Sequence, residues 1–415
     1  MILSSNHSAN SSPTQSFISS TIIINMFEYY SAHYSIRSHV QMIQACKRCI
    51  YDDNTAGISF DSEGICNYCR WTDALEKEYP TGVEGRKKLE EMAKKIKRDG
   101  KGKPFDCVIG VSGGCDSSYL CYLAKEELGL RPLAAHFDNT WNSKISVENV
   151  HRVLKKLDIE LYTYVVDNDE WSDLARSMLY ASVPEIDALS DIALATTLYM
   201  AANKYKIKYI FDGHSFRTEG VSPIGWWYFD GKYIQSIQKK FGTMKMESFP
   251  NLWLSKWMVW LMRDIKRLRP LYYVDYHKED TKKFLETNLD WRWYGAHHTE
   301  NRYAAFCYNY MLPRKFGIDL RFVEYSAFVR SGQMTRGEAI EKIKEPLEFD
   351  DEIIVEVKKR LNLTDEEFDR ILALPKHTAN DYKTYHRTFR LMKPFFWLMW
   401  KLDRVPKSFY IKYSK

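Results

Sequence analysis

The sequence predicts an α/β fold, a parallel twisted sheet with helices on both faces, for the middle of the chain. Between residues 105 and 211, four short apolar segments alternate with helical patterns, which is typical of parallel sheets. Two Cys-x-x-Cys pairs precede this region, and a stretch with helical and aromatic patterns follows it. We therefore expect a small cysteine module, an α/β domain and a mainly helical C-terminal region.

The elements follow from the same patterns. The predicted strands cover residues 105–111, 132–137, 160–166 and 207–211. The predicted helices cover 84–98, 117–128, 146–157, 169–180, 185–205, 252–262, 349–361 and 365–374, and Thr364 with Glu367 forms a capping box before the last of these. The predicted divisions are an extension (1–45), a cysteine module (46–72), a linker helix (73–103), the α/β domain (104–245) and the helical region (246–415).

Composition places limits on the function. Of the net charge of +6, a surplus of seven positive charges lies in residues 384–415, so the rest of the chain is near neutral. Because the chain outside residues 384–415 is near neutral, we do not expect nucleic acid to be a partner. No run of eighteen apolar residues occurs, so we expect no transmembrane helix and a cytoplasmic protein. The aromatic segment 395–400 is expected to pack in the core, with contact to a membrane surface or a partner as the alternative.

Residues 1–45 are rich in Ser and Asn at first and carry almost no charge. They lack the basic start and the small-residue cleavage site of a signal peptide. We expect a disordered extension, or a true start nearer Met26 or Met42.

Four cysteines, Cys46, Cys49, Cys66 and Cys69, have the spacing of a structural zinc site. Each Cys-x-x-Cys turn presents two sulfurs, and two such turns close a tetrahedral shell. Four thiolates leave no open position, so the metal is expected to be structural. An iron–sulfur cluster is the alternative metal centre.

The segment V-I-G-V-S-G-G-C-D-S-S at residues 108–118 places a glycine turn between a strand and a helix. Such a junction binds phosphate, because glycines let the backbone approach and N–H groups at the helix start hold negative charge. The lysine of a Walker A loop is missing. The pattern S-G-G-x-D-S resembles the pyrophosphate loop of ATP-pyrophosphatases, which split ATP into AMP and pyrophosphate.

The predicted ATP and pyrophosphate site consists of Ser112, Gly113, Gly114, Asp116, Ser117 and Ser118, with Asp138 and Asn139 after the second strand. Asp116 is the predicted Mg²⁺ ligand, since Mg²⁺ prefers carboxylate and phosphate oxygens. Ser112, Asp116 and His214 are the predicted catalytic residues. The alternative for Asp116 is a helix-start acid that stabilises the dipole.

The nucleophile that completes the reaction is open between ammonia, an amine and sulfur. Position 2 is Ile, the alternative starts give Phe27 or Ile43, and no G-x-C-x-G occurs, so neither type of glutaminase cysteine is present. If the nucleophile is ammonia, we expect a separate glutaminase to supply it.

Together these motifs resemble the N-acetyl sugar amidotransferases of surface-polysaccharide biosynthesis. The resemblance covers about residues 46–385 and rests on the two cysteine pairs and on residues 112–118, 138–143, 213–220, 271–276, 297–300, 315–319 and 331–339. It implies a PP-loop fold of the adenine nucleotide α-hydrolase type. It also implies conversion of an acetamido group on a nucleotide-linked sugar to an acetamidino group, with ATP, Mg²⁺ and structural Zn²⁺, and with ammonia from glutaminase and cyclase-like subunits.

The resemblance implies further site residues in two later motifs. The candidates for substrate contact are Arg217, Glu219, His297, His298 and Glu300. The paired histidines are equally well explained as a surface or core pair. Two other functions compete: a PP-loop enzyme that thiolates tRNA, and a non-catalytic zinc-ribbon docking protein. Against the first, only Cys121 and Cys307 follow the loop, and each stands alone.

Overall fold

Within the described residues, a sheet of five parallel strands lies at the centre of the fold, in the order β3-β2-β1-β4-β5. The computed structural model describes residues 44–223, 226–295, 299–402, 404–405, 409–410 and 413. The strands are β1 (Cys107–Gly110), β2 (Pro132–Asp138), β3 (Glu160–Val165), β4 (Tyr209–Phe211) and β5 (Lys266–Leu268). The predicted fold class is confirmed.

The strand order places β1 between β2 and β4. Ile109 of β1 pairs with Ala134 of β2 on one side and with Phe211 of β4 on the other. The order of strand addition therefore reverses between β1 and β4. In open α/β sheets this reversal opens a crevice at the carboxyl ends of the two strands. The loops after β1 and β4 carry the predicted site residues, so the topology brings those two motifs together.

Helices cover both faces of the sheet. They are α1 (Asn67–Glu78), α2 (Gly82–Asp99), α3 (Cys115–Tyr122), α4 (Lys144–Leu157), α5 (Asn168–Ala181), α6 (Ala188–Lys204), α7 (Gly231–Phe241), α8 (Leu254–Met262) and α9 (Lys278–Leu289). Successive residues of β1 point to opposite faces: Ile109 packs in a core beneath α3 and α4, and Val108 packs in a core with α6 and α8. Burial on both faces explains why the sequence of β1 is continuously apolar.

The C-terminal region is mainly helical, as predicted. It contains α10 (Arg302–Ala305), α11 (Arg321–Arg330), α12 (Arg336–Lys342), α13 (Glu352–Arg360), α14 (Asp365–Ala373), α15 (His386–Leu391) and α16 (Lys393–Lys401). Leu123–Glu127 and Phe306–Phe316 are π-helical, and Pro270–Tyr273 and Ala379–Asp381 are 3₁₀ turns. The Thr364–Glu367 capping box is present. Phe396 and Met399 of α16 are buried, as predicted for core packing, whereas Trp397 and Leu398 are exposed.

Several elements differ from the sequence expectation. The helices α7, α9, α11 and α12 were not predicted, and three more differences concern β5, α1 and α6. β5 was not predicted, because Lys266 and Arg267 interrupt any apolar run, although charged residues are common on edge strands. α1 was not predicted and begins within the second cysteine pair. α6 begins at Ala188, not at residue 185, and the Glu185 side chain before it accepts hydrogen bonds from the backbone of Tyr228 and the hydroxyl of Tyr233. The division into five parts remains a prediction, and the proposed extension lies outside the described residues except for its last two.

Candidate active site and metal centre

The glycine turn after β1 has the geometry of an anion cradle. Gly113 has φ +82°, a left-handed conformation that favours glycine, and Gly114 caps the start of α3. The Gly114 N–H donates to Ser112 Oγ over 3.2 Å, and Ser117 Oγ donates to the Gly114 carbonyl over 3.2 Å. The hydroxyls of Ser112 and Ser117 therefore shape the turn. The N–H groups that start α3 have no partner within the helix and can bind an anion, although Tyr294 accepts a hydrogen bond from the Cys115 N–H.

The outer side of the turn is packed tightly against the protein. Trp291 Nε1 donates to the Gly113 carbonyl over 2.9 Å, and a Cβ added at Gly113 would lie 2.2 Å from the carbonyl oxygen of Ser146. The turn is therefore fixed from outside before any ligand binds.

Replacing Gly113 by alanine should destabilise the protein and weaken ATP binding. The new methyl clashes with backbone and the residue must keep a positive φ, so we expect a loss of about 2 kcal/mol or more in the free energy of unfolding. Denaturant unfolding measures it. Gly317→Ala is the matched control, because Gly317 also has positive φ (+71°) but no atom within 4 Å of an added Cβ. Equal losses in the two variants would contradict close packing at Gly113.

Asp116, at the start of α3, is held by two side chains from the C-terminal half. Lys278 Nζ donates to Asp116 Oδ2 over 2.6 Å, and the Tyr276 hydroxyl donates to Oδ1. The side chains of Lys278 and Asp116 are 6% and 14% exposed. Burial alone would raise the pKa of Asp116, but the charge of Lys278 and the two hydrogen bonds outweigh it and lower the pKa. Asp116 is therefore a carboxylate at neutral pH.

Two further acids lie near this pair. Burial and the charge of Asp116 raise the pKa of Glu219 well above its usual value, so Glu219 is protonated when Asp116 is charged. Burial also raises the pKa of Glu324, on α11, although Lys278 and Lys282 oppose the rise. Of these three acids, Asp116 has a lowered pKa and is charged, whereas Glu219 and Glu324 have raised pKa values and hold a proton more readily.

The loop after β4 places Asp212 and His214 beside the first cluster. Arg267 donates to Asp212 over 2.9 Å, and Arg269 lies 3.5 Å from the same oxygen. Burial would raise the pKa of Asp212, but the two arginines lower it. Burial and Arg269 lower the pKa of His214 to about 4, so His214 is neutral at pH 7, and its Nδ1 lies 3.0 Å from the Tyr272 hydroxyl. A neutral imidazole here can accept or donate a hydrogen bond but carries no charge.

Arg217, one of the predicted substrate contacts, is engaged by backbone carbonyls in the structure. Its guanidinium donates to the carbonyls of Tyr272 (2.7 Å) and Tyr79 (3.1 Å), and the residue is 7% exposed. The five donors of an arginine fork suit backbone carbonyls as well as phosphates. Arg217 therefore joins three chain segments, and its predicted contact with a substrate stays a prediction.

The residues after β2 are only partly at the crevice. Asn139 is buried, and its Oδ1 accepts from the Trp141 N–H and from Asn301 Nδ2, which gives it a role in the turn. Asp138 is partly exposed and accepts from the Thr140 N–H over 2.7 Å and from Asn142. Asp138 therefore keeps access to a ligand, whereas Asn139 does not.

Glu300 lies against the glycine turn. Its Oε1 is 3.4 Å from the position of a Cβ at Gly114, the Tyr294 hydroxyl is 3.2 Å from the same position, and Ser146 Oγ donates to the Glu300 carbonyl. Its Oε2 is buried and has no hydrogen-bond partner among the described residues. Glu300 thus brings an acceptor to the glycine turn, and its contact with a substrate stays a prediction. His297 and His298 lie outside the described residues.

The four predicted metal ligands form one buried cluster. All four sulfurs lie within 4.8 Å of one another, with Cys46–Cys69 and Cys49–Cys66 separations of 3.8 and 3.7 Å. Sulfurs about 2.3 Å from a tetrahedral ion lie about 3.8 Å apart, so the cluster fits a single metal ion. No other group of three or more potential ligands occurs in the part of the chain that the structure describes.

Sequence reasoning missed Tyr276, Lys278, Arg267 and Arg269. Each lies more than fifty residues from the acid that it contacts. Tyr276 falls in a motif that carries the family resemblance, but nothing in the spacing joins it to Asp116. In the described ranges, no helix combines the length and apolar character that crossing a membrane requires.

Comparison with known families gives a match in the C-terminal region. Residues 300–395 match the family "LPS biosynthesis protein WbpG-like, C-terminal domain". The matched region begins at Glu300, beside the glycine turn, and includes α11. This match confirms the predicted relation to surface-polysaccharide biosynthesis proteins. A comparison with curated proteins gives no match.

Solved structures show distant likenesses. NMN synthetase from Francisella tularensis is 16% identical, with 67% of this chain and 97% of that chain covered and a TM-score of 0.33. The U34-tRNA thiolase NcsA from Methanococcus maripaludis, with its [4Fe-4S] cluster, is 14% identical (74% and 90% covered, TM-score 0.31). The NH₃-dependent NAD synthetase from Campylobacter jejuni, in complex with nitrate, is 13% identical (71% and 98% covered, TM-score 0.25).

Proposed function

Because the chain carries a WbpG-like C-terminal domain of lipopolysaccharide biosynthesis proteins, we propose that it is an ATP-dependent amidotransferase. Its substrate is a nucleotide-linked N-acetyl sugar, whose acetamido group becomes an acetamidino group. AMP and pyrophosphate are the other products. One observation carries the proposal: residues from the C-terminal part of the chain contact the glycine turn after β1. Tyr276 and Lys278 hold Asp116, and Glu300, in the region that matches the family, lies against the same turn.

In the first half-reaction, the start of α3, Asp116 and Lys278 each have a separate role. The amide oxygen of the sugar attacks the α-phosphorus of ATP, and pyrophosphate leaves into the N–H groups at the start of α3. Asp116 would hold Mg²⁺, which neutralises phosphate charge when bound. Both oxygens of Asp116 are now engaged by Tyr276 and Lys278. Lys278 therefore has to turn from Asp116 to the phosphates, where its ammonium stabilises the charge of the leaving group.

Ammonia completes the second half-reaction. It attacks the carbon that bears the adenylate, the C–O bond breaks, AMP leaves, and a proton is lost from nitrogen to give the amidine. The printed sequence has no G-x-C-x-G glutaminase turn. Glutaminase and cyclase-like partner subunits are therefore proposed as the ammonia source, with Glu300 and Glu219 as acids near the site of attack.

For the cysteine cluster we propose structural zinc. The sulfur separations of 3.7 and 3.8 Å support one ion, because a [4Fe–4S] cluster binds each thiolate to a different iron and holds the sulfurs further apart. The cluster is buried, with every cysteine at most 1% exposed, so the ion has no access to substrate.

The test of the function is a direct assay. The purified protein is incubated with ATP, ammonium and a panel of UDP-N-acetyl sugars, and AMP, pyrophosphate and sugar mass are measured. We expect AMP and pyrophosphate in equal amounts with a sugar in which NH replaces O. A parallel reaction contains tRNA and sulfide. AMP formation that depends on tRNA, with sulfur incorporated and no modified sugar, would contradict the proposal.

A further inference from the structure

Arg330, the last residue of α11, contacts the cysteine cluster from the other end of the chain. Its Nε donates to Cys69 Sγ over 3.4 Å and its Nη2 donates to Cys49 Sγ over 3.2 Å, so it contacts one sulfur from each cysteine pair. The guanidinium also lies 4.6 Å from the ring centre of Tyr51, and the residue is 6% exposed. Its Nη1 makes no hydrogen bond among the described residues.

This contact has a clear electrostatic reason. Four thiolates around a divalent ion carry a net charge of two minus in a fully buried site. A buried arginine needs such a partner, since a buried cation without one is strongly unfavourable. The metal-loaded cluster and Arg330 therefore stabilise each other, and loss of the ion would remove the anionic partner that fixes the guanidinium.

The residues that follow Arg330 contact the segment that holds Asp116. Gln333 Nε2 donates to the carbonyl of Tyr276 over 3.1 Å, and Gln333 Oε1 accepts from the N–H of Lys278 over 3.0 Å. Ser331 Oγ donates to the Arg217 carbonyl over 2.9 Å. Gln333 thus binds the backbone of both residues whose side chains hold Asp116.

We propose that residues 330–333 couple the metal centre to the ATP site, with Arg330 and Gln333 as positioning residues. Arg330 is fixed by the metal-bound thiolates. Gln333 follows it closely in the chain and hydrogen-bonds to the backbone of Tyr276 and Lys278, so fixing Arg330 also fixes these two residues. The inference rests on the proposed role of Asp116 in ATP binding. Coupling between two sites is reciprocal, so metal loading tightens ATP binding and ATP slows metal loss by the same mechanism.

The experiment measures both directions on the full chain. One readout is the rate of zinc transfer to a chromogenic chelator, with and without a non-hydrolysable ATP analogue, and the other is the Kd of the analogue. In the native protein we expect the analogue to slow zinc transfer about fivefold or more. Arg330→Met should speed zinc transfer and raise the analogue Kd about tenfold, with Arg330→Lys in between, because lysine keeps the charge but not the fork.

Gln333→Met tests whether residues 330–333 couple the two sites or only stabilise the metal centre. It should leave zinc transfer without the analogue unchanged and abolish the effect of the analogue on it. Arg321→Met is the matched control, because Arg321 lies on the same helix and pairs with Asp319. Two results would overturn the proposed coupling alone. One is a Gln333→Met variant in which the analogue still slows zinc transfer, and the other is a native protein that binds the analogue without any change in zinc transfer. A native protein that does not bind the analogue would overturn both the proposed coupling and the proposed function.

Discussion

Asp116→Asn should reduce AMP formation by about 10³-fold or more and also destabilise the protein by about 3–5 kcal/mol. The amide keeps the shape of the side chain but removes the charge that faces Lys278 at 2.6 Å. Lys278 is 6% exposed, so it would remain as a buried cation without its anionic partner. The catalytic loss follows from removal of the proposed Mg²⁺ ligand. AMP release and denaturant unfolding measure the two effects.

The two effects can be separated with a second variant. Asp116→Asn combined with Lys278→Met replaces the ion pair by neutral groups of similar size, which restores stability in other buried pairs. We expect this double variant to unfold within about 1.5 kcal/mol of the native protein and still to form no AMP. Asp369→Asn, on an exposed face of α14, is the control for charge removal alone. A stable double variant with native turnover would show that the pair is only structural.

The local parts of the site could be predicted from the sequence. The glycine turn, Asp116 at the start of a helix and the four cysteines each lie within a short segment whose spacing limits its geometry. The four strands of the α/β domain were predicted because each is a short apolar run beside a turn. The capping box at Thr364 has the same origin, since it needs only two residues three positions apart.

The parts that could not be predicted depend on long-range contacts. Lys278 and Tyr276 lie about 160 residues from Asp116, and only the folded sheet brings them together. Arg330 lies 261 residues from Cys69. The backbone partners of Arg217 could not be predicted for a related reason, because its position in a motif does not show whether its donors meet a ligand or a backbone carbonyl.

The same limit applies to β5. Its three residues include Lys266 and Arg267, so hydropathy gives no strand signal. Pairing with β4 nevertheless places Arg267 beside Asp212, and the charge of Arg267 helps to lower the pKa of that acid. A charged edge strand therefore contributes to the electrostatics of the crevice, and this contribution becomes visible only once the sheet is assembled.

Cys66→Ser should abolish stable metal binding and unfold the cysteine module. Besides the four cysteines, the buried apolar core of this module contains only Tyr51, Tyr68 and Val323 within the described residues. A core of this size does not support a fold alone, so metal binding has to supply the difference. Loss of one ligand of four should weaken metal binding about 100-fold or more. Metal content per chain and thermal unfolding measure the two effects.

Cys121→Ser is the matched control for this variant. Cys121 is also fully buried but lies in the core beneath α3, away from the metal cluster. Both substitutions bury a hydroxyl in place of a thiol, so both should lower the melting temperature, but Cys121→Ser should keep one metal ion per chain. Zinc predicts a colourless protein, and an iron–sulfur cluster predicts visible absorption. If Cys66→Ser keeps a full metal content, the metal is not bound by these four sulfurs, and the charge argument for Arg330 fails with it.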